Sequence, residues 1–307
     1  MKPSGLGAGA YAALVVAIVN WGLSNVATRY LLVRMHPMDI VTLRYSIASL
    51  LLVPLLLKGR TSRWPWADLG WMALFGFFGV VGFNLPVTLG TQSLPAGTVG
   101  LLITTEPVWI SIISVAVLRE RLVWSLPVGL VLAAAGAAVL VAGHAPAAQL
   151  LGDAGTRGVV AGAGFVLLGA FSWAVYAVAV RPFTRKYGSM TSTGLTVALG
   201  TVPLLGAWNP ALLDRSAHLG GDAWEALVFL GGACTVLATI FWNYATARTS
   251  ASRVGPWLYL VPLVSVLGGH LFLGEPINAS TVAGGGMILG GVAITQIRPR
   301  EQAGVPE

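Results

Sequence analysis

The feature of this sequence that most constrains its fold is a series of ten long apolar runs joined by short connections. A helix that crosses a bilayer needs about 20 mostly apolar residues, and each run is close to that length. Lipid offers the backbone no hydrogen-bond partners, so a spanning run must satisfy its own peptide groups as a helix. The sequence therefore predicts an all-α integral membrane protein with ten transmembrane helices, at residues 10–33, 38–57, 69–89, 96–118, 123–142, 159–180, 190–207, 223–247, 254–273 and 279–297.

The low content of charged residues agrees with that prediction. Charged side chains make up 9% of the chain, whereas a soluble domain carries about a quarter. The net charge of +7 would suggest a nucleic-acid partner in a soluble protein. Here the basic residues form short clusters between apolar runs, where such residues anchor loops at the membrane surface. We expect a lipid bilayer as the environment and no nucleic-acid partner.

The distribution of basic residues predicts the orientation of the chain. Alternate connections are rich and poor in Lys and Arg, and the rich ones are expected to be cytoplasmic. Both termini then lie in the cytoplasm. The rich connections hold Lys2; Lys58, Arg60 and Arg63; Arg119 and Arg121; Arg181, Arg185 and Lys186; Arg248 and Arg253; and Arg298 and Arg300, whereas the poor ones hold Arg34, Arg157 and Arg215.

The two halves of the chain match each other at an offset of 155 positions. The offset pairs Pro107 with Pro262 and Glu120 with Glu275, and it needs no gap across helices 3–5 and 8–10. Five helices per half give the second half the opposite orientation, as in transporters built from inverted repeats. We predict a first repeat at 1–150, a second repeat at 151–300 and a cytoplasmic tail at 301–307. Glu120 and Glu275 end their helices, and each is expected to cap the N-terminus of the following helix.

Two stretches resemble a known family. They read VGLLITTEPVWISIISVAVLRERLVWSLPVGLVLAAAGAAVLVAG and VGPWLYLVPLVSVLGGHLFLGEPINASTVAGGGMILGGVAI. Both are similar to the hallmark of the EamA family of the drug/metabolite transporter superfamily, in which a helix with a proline ends in Leu-Gly-Glu. The first stretch departs by having Leu118-Arg119-Glu120. The resemblance implies ten helices in two halves and a multi-pass carrier of the inner membrane, often an exporter of amino acids or related metabolites.

Two ionisable residues within apolar runs are candidates for function, because charges inside a bilayer are costly. Glu106 lies near the middle of its run and precedes Pro107, which can kink the helix. Its carboxyl group either binds substrate or exchanges a proton, or it bonds structurally to a neighbouring helix. Arg44 either extends towards the membrane surface or reaches inward to Glu106 or to a substrate carboxylate.

The uncharged candidates are amide and aromatic side chains within the runs. Such amides contact a substrate or bond helices together, and such rings line a cavity or simply pack. Trp21 and Trp173 are related by the repeat and lie deep in their runs, which favours the cavity. The candidates for substrate binding or coupling, besides Glu106 and Arg44, are Trp21, Asn25, Asn84, Trp109, Trp173, Tyr176, Asn243 and Tyr259.

We expect a secondary transporter that moves a small-molecule substrate, an amino acid or a related compound, by alternating access and in the export direction. The alternative is a membrane-embedded enzyme that acts on a lipid-soluble substrate. An enzyme would need a cluster of His, Asp or Glu near one face or a sizeable extramembrane domain, and the sequence has neither. The four histidines lack metal-ligand spacing and no nucleotide motif has a strand context, so we expect no catalytic residue, metal or cofactor. We expect a monomer.

Overall fold

The computed structural model of this chain describes residues 8–58, 64–118, 124–149, 152–246 and 255–295. All the regular structure within these residues is helical. The prediction of an all-α protein is therefore confirmed. Six of the described helices are long and apolar enough to cross a membrane, and three shorter apolar helices accompany them, in agreement with a membrane protein.

We number the main helical segments α1 to α10 and treat segments that continue without a gap, or after a two-residue turn, as one. Short helices Arg181–Tyr187 and Pro210–Ala217 lie in the connections before α7 and α8. The segments are α1 Ala8–Leu31; α2 Pro37–Lys58; α3 Trp66–Phe77, Phe78–Gly82 and Phe83–Thr91; α4 Ala96–Ile103 and Glu106–Leu118; α5 Ser125–Gln149; α6 Gly152–Ala179; α7 Ser189–Thr201 and Val202–Ala207; α8 Gly221–Val228, Phe229–Leu237 and Ala238–Thr246; α9 Gly255–Tyr259 and Leu260–Leu273; and α10 Ala279–Thr295.

Each predicted run coincides with one of these segments, but α5 and α6 extend beyond their runs. The predicted runs leave residues 143–158 between them, yet helix α5 continues to Gln149 and helix α6 begins at Gly152. Ala145, Ala147 and Ala148 favour the continuation of α5 past the strongly apolar sequence, because alanine has the highest helix propensity.

Glycines set the closest helix contacts. Helix α5 packs along α10, and a Cβ atom added to Gly136 would lie 2.6 Å from the carbonyl oxygen of Gly284. A Cβ atom added to Gly284 would in turn lie 2.7 Å from the carbonyl oxygen of Gly136. The two backbones are therefore in direct contact, which membrane helices achieve only with small residues.

The remaining helices form two similar groups. Helix α3 packs against α6 and α7, and helix α8 packs against α1 and α2. Helix α4 contacts both α6 and α9, and α9 also packs on α1. The largest buried apolar cluster lies among α3, α4, α5, α6 and α10, and it includes Leu94, Leu102, Leu140, Val166 and Ile288.

Helices α3 and α8 each contain a π-helical segment, Phe78–Gly82 and Phe229–Leu237. The Asn84 side chain donates hydrogen bonds to the carbonyl oxygens of Gly79 (3.2 Å) and Val80 (2.9 Å) within the first segment. In the second, the Thr235 hydroxyl donates to a carbonyl oxygen five residues earlier, at 2.8 Å. Polar side chains thus satisfy carbonyl groups that the wider helical turn leaves available.

The prediction that Glu275 caps the N-terminus of the following helix is wrong. Its carboxylate accepts hydrogen bonds from the backbone N–H groups of Ala96 (2.8 Å) and Gly97 (3.3 Å), so it caps α4 and not the following helix α10. The free N–H groups at the start of α4 lie beside the end of α9, where an anion is favoured. Glu120 lies outside the described residues.

Candidate functional site

Helix α4 is interrupted near its middle. The first part ends at Ile103, and Thr104 and Thr105 form a turn in which each N–H bonds to the carbonyl oxygen three residues earlier, at 3.2 and 3.1 Å. The helix resumes at Glu106, and Pro107 has no N–H to continue the regular ladder. The interruption therefore follows from the sequence Thr-Glu-Pro, and it places a carboxyl group at the start of the resumed helix.

The Glu106 carboxyl group has no hydrogen-bond or ion-pair partner among the described residues, and the residue is partly buried. The bond to a neighbouring helix that a purely structural carboxyl would make is not formed. Because an ionisable group within a membrane segment is costly, an unpaired one is available to a proton or to a cationic group of a solute.

Arg44 lies two turns into α2 and points towards α8. Its Nε donates to the Thr235 hydroxyl at 3.0 Å, and its guanidinium carbon lies 5.5 Å from the centre of the Tyr45 ring. One of the alternatives for Arg44 was an ion pair with Glu106. This pair is not formed, because the bond to Thr235 holds the guanidinium against α8. Within the described residues no carboxylate pairs with Arg44, so its remaining N–H groups can donate to an anionic partner.

The two candidates on α1 bond to other helices. The indole N–H of Trp21 donates to the carbonyl oxygen of Cys234 on α8, at 3.1 Å. The Asn25 amide donates to the hydroxyl of Ser265 on α9, at 3.1 Å. Trp21 and Arg44 thus bond to adjacent residues of α8, Cys234 and Thr235. Asn25 is buried at the junction of α1 and α9 and makes a helix–helix bond.

Three candidates on α3 and α6 are engaged in packing. The Asn84 amide donates to the Tyr45 hydroxyl at 2.6 Å, in addition to its bonds in the π-helical region. The Tyr176 hydroxyl bonds to that of Thr196 at 3.1 Å. The ring of Trp173 lies between those of Phe83 and Tyr176, with centre-to-centre distances of 5.2 and 5.0 Å. These contacts join α2, α3, α6 and α7.

The last three candidates are dispersed. Trp109 packs edge-on against Phe171 at 5.7 Å, and its indole nitrogen is buried without a partner. The Asn243 carbonyl oxygen accepts a bond from the Ser189 hydroxyl at 2.6 Å, at an exposed end of α8. Tyr259 is partly buried against the large apolar cluster. Of the ten predicted residues, Trp21 and Arg44 bond to adjacent residues of α8, Asn84 bonds to the Tyr45 that lies beside Arg44, and Trp173 packs against Tyr176. The others make separate contacts.

Two residues that the sequence analysis did not select complete the surroundings of Arg44. Thr235 accepts its hydrogen bond, and Tyr45 provides the aromatic ring beside its guanidinium. Tyr45 follows the charged residue directly, and this adjacency was the available signal. Nothing in the sequence relates Thr235 to Arg44, because the contact depends on the packing of α8 against α2.

Ion pairs lie at the ends of the helices. The Asp222 carboxylate at the start of α8 accepts hydrogen bonds from Arg34 and Tyr30, and Asp68 at the start of α3 accepts them from Lys186 and Tyr187. The bond to Asp68 raises the pKa of Lys186 above its ordinary value. Each group joins one half of the chain to the other.

Among the residues that the structure describes, no three His, Cys, Asp or Glu side chains are placed to hold a metal ion. The charged groups inside the membrane segments are isolated from one another. Such an arrangement suits the recognition of a solute or a proton better than the coordination of a metal.

Known proteins match along nearly the whole chain. The model of the EamA-like transporter family matches residues 8–142 and 160–297. An uncharacterized transporter of Archaeoglobus fulgidus is 31% identical, with 92% of this chain and 96% of the relative covered. A probable terminal-alkyne amino-acid exporter of Streptantibioticus cattleyicolor is 30% identical, with 96% of both covered.

A more distant relative has a related name. A probable amino-acid metabolite efflux pump of Salmonella typhimurium is 24% identical, with 92% of this chain and 93% of the relative covered. A protein crystal structure superposes on 94% of this chain and 96% of its own, with a TM-score of 0.60 and 22% identity. The last comparison shows a shared fold.

Proposed function

The chain belongs to the EamA-like transporter family, and from that premise we propose that it is a secondary transporter that exports amino acids or related small metabolites across the inner membrane. The family and the named relatives are transporters and not enzymes, so the alternative of a membrane-embedded enzyme is set aside. Two relatives carry names that refer to amino-acid export or efflux, which supports this substrate class and direction.

The observation that carries the proposal is the unpaired carboxyl group of Glu106 at the interruption of α4. A protonated amine needs such an anion in a membrane segment, and a carboxylate needs a cation such as the unpaired guanidinium of Arg44. An amino acid carries both groups. We therefore assign Glu106 to the amine and Arg44 to the carboxylate of the proposed cargo.

Alternating access by two inverted five-helix repeats, 1–150 and 151–300, is the transport mechanism we propose. The separate family matches to 8–142 and 160–297 support it. So does a reciprocal contact of two glycines at the 155 offset: a Cβ on Gly76 would lie 2.2 Å from the Thr196 carbonyl oxygen, and one on Gly231 would lie 2.7 Å from that of Arg44. Each matched helix thus packs against the second helix of the other half, which agrees with a two-fold relation between the halves.

The proposed topology places both termini in the cytoplasm and rests on the basic residues of alternate connections. Substituted-cysteine labelling tests it in a variant in which Cys234 is replaced. A membrane-impermeant reagent added outside should label cysteines at 155 and 216 and fail to label those at 60, 185 and 253. Strong labelling of a cysteine at 60 from outside would show that the chain has the opposite orientation.

The transport proposal is tested by counterflow in proteoliposomes that contain the purified protein. A panel of labelled amino acids and related metabolites is offered outside, against the same unlabelled compound inside. We expect saturable exchange of at least one amino acid and none in protein-free liposomes. Exchange of no amino acid in the panel, by protein shown to be folded, would refute the assigned substrate class.

A further inference from the structure

A cavity of about 660 Å³ lies among α4, α5 and α6, and neither Glu106 nor Arg44 lines it. We call it the α4–α6 cavity. Helix α4 contributes Thr105 and Trp109, next to the interruption of that helix. The cavity is therefore separate from the two charges assigned to the cargo, and it needs its own explanation.

The cavity exists because small residues face it. Ala134, Ala138 and Ala142 follow one another at four-residue spacing on α5 and therefore share one face. Gly164 faces them from α6, and a Cβ atom added there would meet no atom within 4 Å. Protein interiors are otherwise close-packed, so a space of this size left open between helices is available to a molecule from outside.

The walls of the cavity offer almost no polar partner. The Thr105 hydroxyl is already bonded to the carbonyl oxygen of Leu102, at 2.8 Å. The indole nitrogen of Trp109 is buried, so the ring presents carbon to the space. Thr156 stands at one end, and the other lining side chains are apolar. A zwitterionic solute would lose its hydration here without compensation, whereas a hydrocarbon chain would lose nothing.

The cavity opens on the outer surface of the helix bundle. Val160 lines it and is 58% exposed, and its exposed neighbours on α6 include Leu168, at 53%. In a membrane protein such apolar surface faces lipid. The lining of α5 runs from Leu130 to Ala142, a rise of about 18 Å at 1.5 Å per residue. One leaflet of a hydrocarbon core of about 30 Å has roughly that depth.

We propose that the α4–α6 cavity holds one acyl chain of a bilayer lipid, taken from the leaflet at the Ala142 and Thr156 end. The apolar walls, the opening towards lipid and the depth of one leaflet each fit this occupant. The chain would fill the space between α5 and α6, where the two family-matched segments meet, and would support α4 beside its turn at Thr105.

The experiment uses the intact protein in nanodiscs of phosphatidylcholine that contains a phospholipid with a diazirine at the middle of its acyl chain. After irradiation, adducts are located by peptide mass spectrometry. We expect adducts concentrated on the lining of the cavity, around Ala138 and Gly164. Adducts spread evenly over all lipid-facing helices would overturn the proposal.

A pair of matched variants sharpens the test. Gly164→Phe places a ring in the open space and should reduce cavity adducts several-fold. Gly286→Phe adds the same ring at an exposed position of α10 that is equally open, and it should leave the adducts unchanged. Ala138→Leu fills the cavity from α5 and guards against a fold defect of one variant. Unchanged adducts in correctly folded Gly164→Phe and Ala138→Leu proteins would contradict an acyl chain in this space.

Discussion

Helices α4 and α9 match each other at the 155 offset and change their helical hydrogen bonding at the same place, but only one of them carries a charge there. Helix α4 has its turn at Thr104 and Thr105, and α9 changes from a 3₁₀ helix to an α-helix between Tyr259 and Leu260. A proline follows in both. The 155 offset pairs Glu106 of α4 with Val261 of α9. Helix α9 changes its helical form beside a valine, so a carboxyl group at this position is not needed for such a change.

Helices α2 and α7 differ in the same way. Arg44 of α2 and Thr196 of α7 each present a backbone carbonyl oxygen to a glycine of the matched pair, Gly231 and Gly76. These two contacts involve only backbone oxygens and so do not require either side chain. Even so, Arg44 carries a guanidinium group, whereas Thr196 carries a hydroxyl group. The two charged candidates, Glu106 and Arg44, thus both lie in the first half of the chain. The two halves share a framework, and we infer that the first half supplies the charged groups of transport.

The comparison is tested most severely by moving the carboxyl group from one helix to the other. In the double variant Glu106→Val with Val261→Glu, we expect accumulation driven by a pH gradient to fall to the background of protein-free liposomes, because the interruption of α4 then carries no carboxyl group. The single variant Val261→Glu retains Glu106 and serves as the control. Substantial gradient-driven accumulation by the double variant would show that the two positions are interchangeable.

The next largest effect concerns Arg44. Hydrogen bonds to charged groups contribute about 1.5–3 kcal/mol, so Arg44→Gln should raise the KM for an amino acid by roughly tenfold or more. Thr196→Val at the matched place in α7 should change the KM little. The measurement is the concentration dependence of counterflow, and equal KM values for the wild type and Arg44→Gln would exclude Arg44 from binding.

The shared framework predicts an effect on stability. Gly76→Ala and Gly231→Ala each force a methyl group against a backbone oxygen, at 2.2 and 2.7 Å before relaxation. Overpacking of this kind costs about 1–3 kcal/mol, so both should lower the unfolding temperature in detergent, Gly76→Ala more strongly. Gly286→Ala, which meets no atom within 4 Å, is the control. An unchanged unfolding temperature for Gly76→Ala would contradict the close contact of α3 with α7.

The smallest effect is expected at the exposed ion pairs. Asp222 bonds to Arg34 and Tyr30 at one end of the bundle, and Asp68 bonds to Lys186 and Tyr187, so the two carboxylates have similar surroundings. Exposed ion pairs stabilise weakly and are screened by salt. Asp68→Asn and Asp222→Asn should each lower the unfolding temperature slightly, and less so at high salt. A decrease larger than that of Gly76→Ala would assign these pairs a major structural role.

The sequence predicted the helices well because each run of apolar residues has few alternatives in a membrane. It predicted Glu106 and Arg44 as the exceptional charges for the same reason. It did not predict that Arg44 bonds to Thr235 or that Glu275 caps α4, because both contacts join residues more than 170 positions apart. The sequence also did not predict the π-helical segment of α8, in which the Thr235 hydroxyl bonds to a carbonyl oxygen five residues earlier.

The measurement that tests the central claim most directly is the pH dependence of transport by Glu106→Gln. This variant keeps the size and hydrogen-bonding capacity of the side chain but cannot titrate. In proteoliposomes we expect wild-type uptake to respond to an imposed pH gradient, and we expect slower uptake with a flattened pH dependence from a well-folded Glu106→Gln protein. Full, pH-dependent transport by that variant would remove Glu106 from the mechanism and contradict the account.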